Sequence, residues 1–217
     1  MALLHQAQLH PSKLELLSEW VPTREWFPGD ADAEFSNVAA YRFDDPEGDV
    51  GVETILIRAG HGPMMQVPLT YRGAPLEGAE GSLIGTMVHS VLGKRWVYDG
   101  AGDPVYLQTV ATATLNGGHQ AELFIDADGG RELREPNARV AGSGTNSATI
   151  HNPIVSEVNS RQKGTITIVD AGDLQVRIQR VIDGDALAEG EKSVSVLRGT
   201  WTDSSEERDL VLVSFGA

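Results

Sequence analysis

The chain has 217 residues, with 31 acidic and 17 basic side chains, a formal net charge of -14 and no cysteine. This length is enough for one large domain or two small, closely packed ones with a real core. The negative charge disfavours binding to nucleic acid or to an anionic membrane surface. The lack of cysteine excludes disulfides, thiolate nucleophiles and metal centres ligated by cysteine.

The first residues lack the basic start and apolar stretch of a secretion signal, and no apolar run reaches the length of a membrane helix. We therefore expect a cytoplasmic protein without membrane contact. Alternation over residues 2–9 predicts a first strand. Ser12 and Glu15 have the spacing of a capping box, which predicts a short helix over residues 12–20 that Pro22 ends.

Residues 20–30 then carry three large aromatic side chains and two prolines. Such a stretch either pins a loop onto the core or lines a pocket. A long β-rich region follows, with strands predicted at 37–43, 52–58, 64–71, 82–90 and 93–98. Pro68 indicates an edge strand or a bulge within the third of these.

A Gly-rich bend after Tyr98 and Asp99 leads to Asp103-Pro104, which predicts a helix over 103–115 with Asp103 as its N-cap. A short strand at 121–126 follows. Further on, two hairpins are predicted, one formed by 164–169 and 174–182 and the other by 193–201 and 209–215. Many strands beside two short helices predict an α+β fold that is mostly antiparallel sheet.

The sequence lacks the motifs of several common binding sites and catalytic centres. Gly93-Lys94 lacks the spacing of a phosphate loop, and residues 142–147 lack the third glycine of a dinucleotide fingerprint. The six histidines are scattered, and the acidic pairs fit solvated turns, with a weak divalent site at Asp126 and Asp128 as the alternative. We predict no cofactor, no metal and no catalytic residue, although Asp99 and Asp103 flank one bend and could face one cleft.

Several segments together resemble the N-terminal part of the actinobacterial maltokinases. They are Val21-Pro-Thr-Arg-Glu-Trp-Phe-Pro-Gly-Asp30, Gln66-Val-Pro-Leu-Thr-Tyr-Arg72, Leu83-Ile-Gly85 and Val97-Tyr-Asp-Gly-Ala-Gly-Asp-Pro-Val-Tyr106. Glu157-Val-Asn-Ser160 with the following hairpin is more weakly similar to the first hairpin of the kinase N-lobe. The resemblance implies a maltokinase cap-like subdomain at 1–128, a loop or linker at 129–152 and N-lobe-like β hairpins at 153–217.

Two departures from the family pattern matter for function. Asp30 stands where a lysine is expected, and Arg177 stands where the resemblance places the nucleotide-binding lysine, a substitution that is not neutral. The sequence also lacks the catalytic motifs that phosphoryl transfer needs. The resemblance therefore implies a cap with a truncated N-lobe and no catalytic lobe, like uncharacterised cap-like proteins of actinobacteria.

Three hypotheses follow. The first is a non-catalytic accessory protein that binds a small metabolite or a protein partner, linked by family analogy to trehalose, maltose or α-glucan metabolism. Its candidate ligand-binding residues are Arg24, Trp26, Arg72, Tyr98, Asp99 and Arg177. The second is an enzyme of another class, which requires at least two of Asp99, Asp103, Arg72 and Arg24 to converge in a cleft. The third is a homodimer that pairs exposed sheet edges.

Overall fold

The computed structural model describes residues 2–4, 8–127, 130–145, 153–182, 184, 187, 194–202 and 204–215. The two helices of this part are α1 (Lys13–Trp20) and α2 (Pro104–Leu115). Its strands are β1 (Ala2–Leu4), β2 (Leu9–His10), β3 (Phe35–Phe43), β4 (Gly51–Ala59), β5 (Met64–Arg72), β6 (Leu83–His89), β7 (Gly93–Asp99), β8 (Leu123–Ala127), β9 (Gly130–Arg134), β10 (Ala138–Gly142), β11 (Asn159–Lys163), β12 (Ile166–Ala171), β13 (Leu174–Gln179), β14 (Ser195–Trp201) and β15 (Ser204–Phe215).

The strands form three sheets. The N-terminal sheet has the order β2-β6-β7-β5-β4-β3, and the C-terminal sheet has the order β10-β14-β15-β13-β12-β11. Every pair within these two sheets is antiparallel. In the small third sheet, β1-β8-β9, β1 runs parallel to β8. The predicted α+β class is confirmed.

Helix α1 begins at the predicted capping box. The backbone N–H of Glu15 donates to Ser12 Oγ at 3.2 Å, and the backbone N–H of Ser12 donates to Glu15 Oε2 at 2.6 Å. Leu16, Leu17 and Trp20 recur at helical spacing and are buried on one face of the N-terminal sheet. After Trp20 the chain tightens into a 3-10 turn, Val21–Thr23.

Helix α2 packs on the other face of the N-terminal sheet, between it and the C-terminal sheet. Its buried residues are Tyr106, Leu107, Thr109, Val110, Ala111, Thr114 and Leu115. As predicted, the helix begins after Asp103, whose side chain accepts from the backbone N–H of Val105 at 2.9 Å. The two sheets and α2 therefore share one core, and α1 closes a second core on the outer face.

Strand β5 shows how a proline fits inside a sheet. The backbone N–H of Gln66 donates to Arg180 O at 2.8 Å, on the side of β5 away from β4. Because backbone N–H groups alternate sides along a strand, the nitrogen of Pro68 faces that same side. Pairing with β7 begins only at Leu69, so Pro68 pairs with Thr54 of β4 on one side and has no partner in β7 on the side that its nitrogen faces. The unpaired edge that Pro68 predicted is thus limited to one side of β5 near this residue, whereas β5 itself lies between β7 and β4 in the sheet.

The two C-terminal hairpins have the predicted pairing. Gly172, with φ of 66°, supplies the turn between β12 and β13, and Val169 pairs with Val176 across it. In the second hairpin β15 is longer than expected, since it begins at Ser204, and its register with β14 shifts twice. The two strands of this hairpin are therefore closer together in sequence than predicted.

Two expectations need correction. The single strand expected over residues 2–9 is two strands in different sheets, since β1 pairs with β8 and β2 pairs with β6. The segment 129–152, expected to be a loop or linker, contains β9 and β10, and Ala138 of β10 pairs with Trp201. Strands of five residues carry too little apolar periodicity to be seen in the sequence. The division of the chain into domains stays a prediction.

Within the described ranges no helix is long and apolar enough to cross a membrane. In the same part of the chain, no three His, Cys, Asp or Glu side chains are grouped so that they could hold a metal ion. Asp128, one member of the acidic pair considered above, lies outside the described residues.

Candidate functional site

A cleft of about 410 Å³ opens between the N-terminal and C-terminal sheets. One wall is formed by Trp20 at the end of α1 and by the segment after it as far as Trp26, together with the 3-10 turn Glu80–Ser82 and the end of β7. The opposite wall is formed by β11, Thr167 of β12 and Arg180 after β13. The cleft thus lies at the boundary between two separately formed sheets, a common place for ligand binding.

The cleft contains a chain of hydrogen bonds that crosses this boundary. Arg180 Nη2 donates to both carboxylate oxygens of Asp99, at 2.9 and 2.7 Å, and Arg180 Nε donates to Thr167 Oγ1 at 2.8 Å. Thr167 in turn donates to Gln162 Oε1 at 2.8 Å. Four side chains from both sheets therefore hold one another in fixed positions.

The backbone fixes Arg180 as firmly as its side chain does. Its N–H donates to Thr165 O, and its carbonyl oxygen accepts from Gln66, both at 2.8 Å. The side chain is only 1% exposed, and Arg180 Nη1 has no hydrogen-bond partner among the described residues. A buried guanidinium nitrogen without a partner is uncommon, because such groups are costly to leave unsatisfied.

Two tryptophans form the floor beside this ion pair. The guanidinium carbon of Arg180 lies 5.3 Å from the ring centroid of Trp26, and Trp26 meets Trp20 edge-on at 6.2 Å. The guanidinium carbon of Arg24 lies 4.8 Å from the ring centroid of Trp20. The aromatic segment at the end of α1 therefore both packs into the core and lines a cleft, which are the two roles that its sequence indicated.

The Gly-rich bend after β7 builds part of the wall. The carboxylate of Asp99 accepts from the backbone N–H of Ala101 at 3.2 Å, which holds the 3-10 turn Gly100–Gly102. Ser82 packs so closely on Gly102 that a Cβ at position 102 would overlap its Oγ. The glycine therefore lets two turns approach at the rim of the cleft.

The structure brings three of the six predicted ligand-binding residues together, since Arg24, Trp26 and Asp99 all line the cleft. The other three, Arg72, Tyr98 and Arg177, are not among its lining residues.

Arg72 forms a two-point ion pair with Asp103, at 2.7 and 2.6 Å. Tyr98 is buried, and its hydroxyl accepts from the backbone N–H of Leu76 at 2.8 Å. Arg177 lies on β13, where its Nε donates to Gln175 Oε1 at 2.9 Å. Arg72 and Tyr98 are therefore occupied in holding the N-terminal sheet and its connections.

Sequence reasoning missed Arg180, the residue around which the cleft is built. The signal was in the alternation of β13, where Leu174, Val176 and Ile178 are buried and Arg177 faces outward in part. Arg180 continues the buried series. A charged residue in the buried phase of a strand must have a partner, and this distinguishes it from Arg177.

A second buried polar cluster lies near the start of α1, away from the cleft. Glu53 accepts from Lys13 at 2.5 Å, from Arg42 at 3.2 Å and from the Tyr71 hydroxyl at 2.6 Å. Burial alone would raise the pKa of Glu53, but the charges of Arg42 and Lys13 and these hydrogen bonds outweigh it and lower the pKa to about 2. Burial, followed by the charge of Glu53, raises the pKa of Tyr71 well above its usual value. This cluster anchors α1 to the sheet.

The part of the chain that runs from the end of α1 to the N-cap of α2 includes β3 to β7 and one wall of the cleft. Residues 20–103 match the maltokinase N-terminal cap domain. The match confirms the predicted resemblance over this segment, so the protein is maltokinase N-terminal cap-like there. It covers less than half of the chain, and all six strands of the C-terminal sheet, β10 to β15, lie beyond it. No curated protein matches the chain.

Proposed function

We propose that this cap-like protein is a non-catalytic binding or accessory protein, and that the cleft between its two sheets binds a small polar metabolite. One observation supports this above the others. A cleft of about 410 Å³, lined by hydroxyl, amide, carboxylate and guanidinium groups, lies where the cap-like segment meets the C-terminal sheet. A volume of this size suits a metabolite of one or two rings.

The chemistry of the lining favours binding over catalysis. Asp99 is the one carboxylate deep in the described cleft, and both of its oxygens accept from Arg180. A general base needs a lone pair directed at its substrate, and a nucleophile needs a base beside it. Thr167, the buried hydroxyl here, already accepts from Arg180 and donates to Gln162. These groups are suited to positioning a ligand.

The enzymatic alternative has one observation in its favour. Of the four residues that it required, Arg24 and Asp99 both line the cleft, whereas Arg72 and Asp103 bind each other. An assay for ATP hydrolysis and maltose phosphorylation tests the non-catalytic proposal against a kinase activity. We expect no turnover above a blank, and turnover that is lost in Arg177→Ala would contradict the non-catalytic proposal.

The cellular role that we propose rests on the family match and on the acidic composition. The protein would serve in the cytoplasm of an actinobacterium, as an accessory to trehalose, maltose or α-glucan metabolism, either by binding a metabolite or by binding an enzyme. Pairing of sheet edges into a homodimer is compatible with this role. Light scattering at high protein concentration tests the dimer, and a monomeric mass would reject it.

The binding proposal is tested by a thermal-shift screen against sugars, sugar phosphates and nucleotides. A ligand at about 100 times its dissociation constant adds roughly 2.7 kcal/mol of stability, which such a screen detects. Gln162→Ala alters the wall of the cleft. Its matched control is Gln175→Ala, another half-buried glutamine of the C-terminal sheet that does not line the cleft. We expect the shift to fall in the first variant and to persist in the second. Equal shifts in both would place binding elsewhere.

A further inference from the structure

The cleft brings three arginines together in an acidic protein. Three of the 17 basic side chains of the chain line it, namely Arg24, Arg161 and Arg180. Two carboxylates, Asp99 and Glu25, line it as well, and the ion pair with Arg180 neutralises the first of them. Arg161 is paired with Asp170, which lies outside the lining. The lining thus holds three positive and two negative side chains, and because Asp99 and Asp170 neutralise Arg180 and Arg161, Arg24 is the lining arginine that makes no ion pair within the described residues.

Arg24 is held in place without being neutralised. Its Nε and Nη2 donate to Thr23 Oγ1 at 3.0 and 2.7 Å, and its guanidinium lies over the ring of Trp20. Within the described part of the chain it makes no ion pair. A guanidinium fixed by neutral partners keeps its charge for a ligand and loses little freedom when it binds one.

Arg180 adds a second donor. Its Nε and Nη2 are occupied by Thr167 and Asp99, while Nη1 is buried without a hydrogen-bond partner among the described residues. An anionic oxygen is the partner that such a guanidinium nitrogen binds most strongly. Two arginines from opposite walls of one cleft are therefore prepared to bind the same kind of group.

From these contacts we infer that the ligand of the cleft carries a carboxylate or a phosphate group, which Arg24 and Arg180 bind together, with Arg161 at the rim. The inference rests on the proposed function, since it names the chemical class of the metabolite. The rest of the ligand lies along Ser82, Ser160 and Gln162, whose side chains offer hydroxyl and amide groups. Glu25 opposes an anion at the exposed edge.

The test uses titration calorimetry at constant ionic strength with three probes: pyrophosphate, succinate and the neutral disaccharide trehalose. Arg24→Gln removes one charge from the cleft. Its control, Arg198→Gln, removes one charge from an exposed ion pair with Asp209 outside this cleft, so the net charge of the two variants is equal. Glu25→Gln removes the opposing carboxylate. None of these side chains is needed for the buried hydrogen-bond chain through Arg180.

We expect an anionic probe to bind, with an affinity that falls at least tenfold in Arg24→Gln, stays unchanged in Arg198→Gln and rises severalfold in Glu25→Gln. Affinity should also fall as salt is added, because screening weakens charge attraction. Trehalose binding that depends on Gln162 while neither anion binds would overturn the inference and leave the proposed function standing. Anion binding that is equal in the natural protein and in the Arg24, Arg198 and Glu25 variants overturns the inference as well. If no ligand depends on any cleft residue, both proposals fail.

Discussion

Arg180 and Asp99 are separated by 81 positions in the sequence, and they form a two-point ion pair across the boundary between the two sheets. Asp99 ends β7, and Arg180 follows β13 where the chain crosses to pair with β5. The same Asp99 holds the bend that leads into α2. One pair of side chains therefore couples the position of the C-terminal sheet to the start of the helix between the sheets.

Replacing Asp99 with Asn should destabilise the protein by about 3 kcal/mol, because the charge of Arg180 would stay buried without its counter-ion. Urea unfolding measures this loss. In the double variant Asp99→Asn with Arg180→Met, part of the loss should be recovered, since no charge remains buried.

The control for this prediction is Asp209→Asn, whose ion pair with Arg198 is about as long, 2.8 Å, but has side chains 44% and 43% exposed. Exposed pairs contribute at most about 1 kcal/mol. If Asp99→Asn and Asp209→Asn had equal effects, the pair with Arg180 would have no special role in stability.

Asp103 makes a larger contribution than its place in the sequence indicates. As an N-cap alone it would contribute about 1 kcal/mol. Its carboxylate is 0% exposed, and it also binds Arg72 at two points and the hydroxyl of Thr70 at 2.6 Å. We expect Asp103→Ala to cost about 3 kcal/mol or more in urea melts.

Asp103→Ser separates the two contributions, because serine caps a helix well but cannot bind both donor nitrogens of Arg72. We expect this variant to lose about 2 kcal/mol. A variant as stable as the natural protein would mean that the cap accounts for the whole effect of Asp103.

Local signals were sufficient to predict much of the fold. Ser12 with Glu15 and Asp103 with Pro104 fixed the starts of both helices within a few residues, and Gly172 marked a hairpin turn. Each of these features depends on residues that are neighbours in the sequence, so a single sequence is enough to predict it.

The cleft could be predicted only in part, because its key contacts join residues far apart in sequence. The sequence indicated Trp26, Arg24 and Asp99, yet it could not show that Arg180 lies between Trp26 and Asp99. It placed Arg72 and Asp103 in that same cleft, but it could not show that the two side chains bind each other instead. Strand β10 was missed for a similar reason, since its partner β14 follows much later in the chain.

Gly102 is required by the approach of two turns at the cleft. A Cβ there would overlap the hydroxyl of Ser82, so Gly102→Ala should destabilise the protein by about 1–3 kcal/mol, the usual cost of overpacking. Gly81→Ala is the matched control, because a Cβ at that neighbouring position has open space around it. In the double variant Gly102→Ala with Ser82→Gly, the side chain that overlaps the new Cβ is absent, so most of the stability should be restored. A double variant no more stable than Gly102→Ala would refute this steric explanation.

Glu53 should make the stability of the protein depend on pH in acid. Its folded pKa of about 2 lies below the roughly 4.3 of a free glutamate, so its contribution is fully present above the unfolded pKa. As pH falls from about 5 towards 2, that contribution, on the order of 3 kcal/mol, is progressively lost. The salt bridges to Lys13 and Arg42 are the physical reason, since protonation of Glu53 removes the charge that both of them bind.

The measurement is the free energy of unfolding by urea at several pH values between 3 and 6, for the natural protein and for Glu53→Gln. Other carboxylates titrate in the same range in both proteins, so the difference between the two curves isolates Glu53. We expect the natural protein to be more stable by about 3 kcal/mol at pH 6, with the gap narrowing as pH falls. Parallel curves would show that Glu53 is not held as a carboxylate by Lys13, Arg42 and Tyr71 in the folded state.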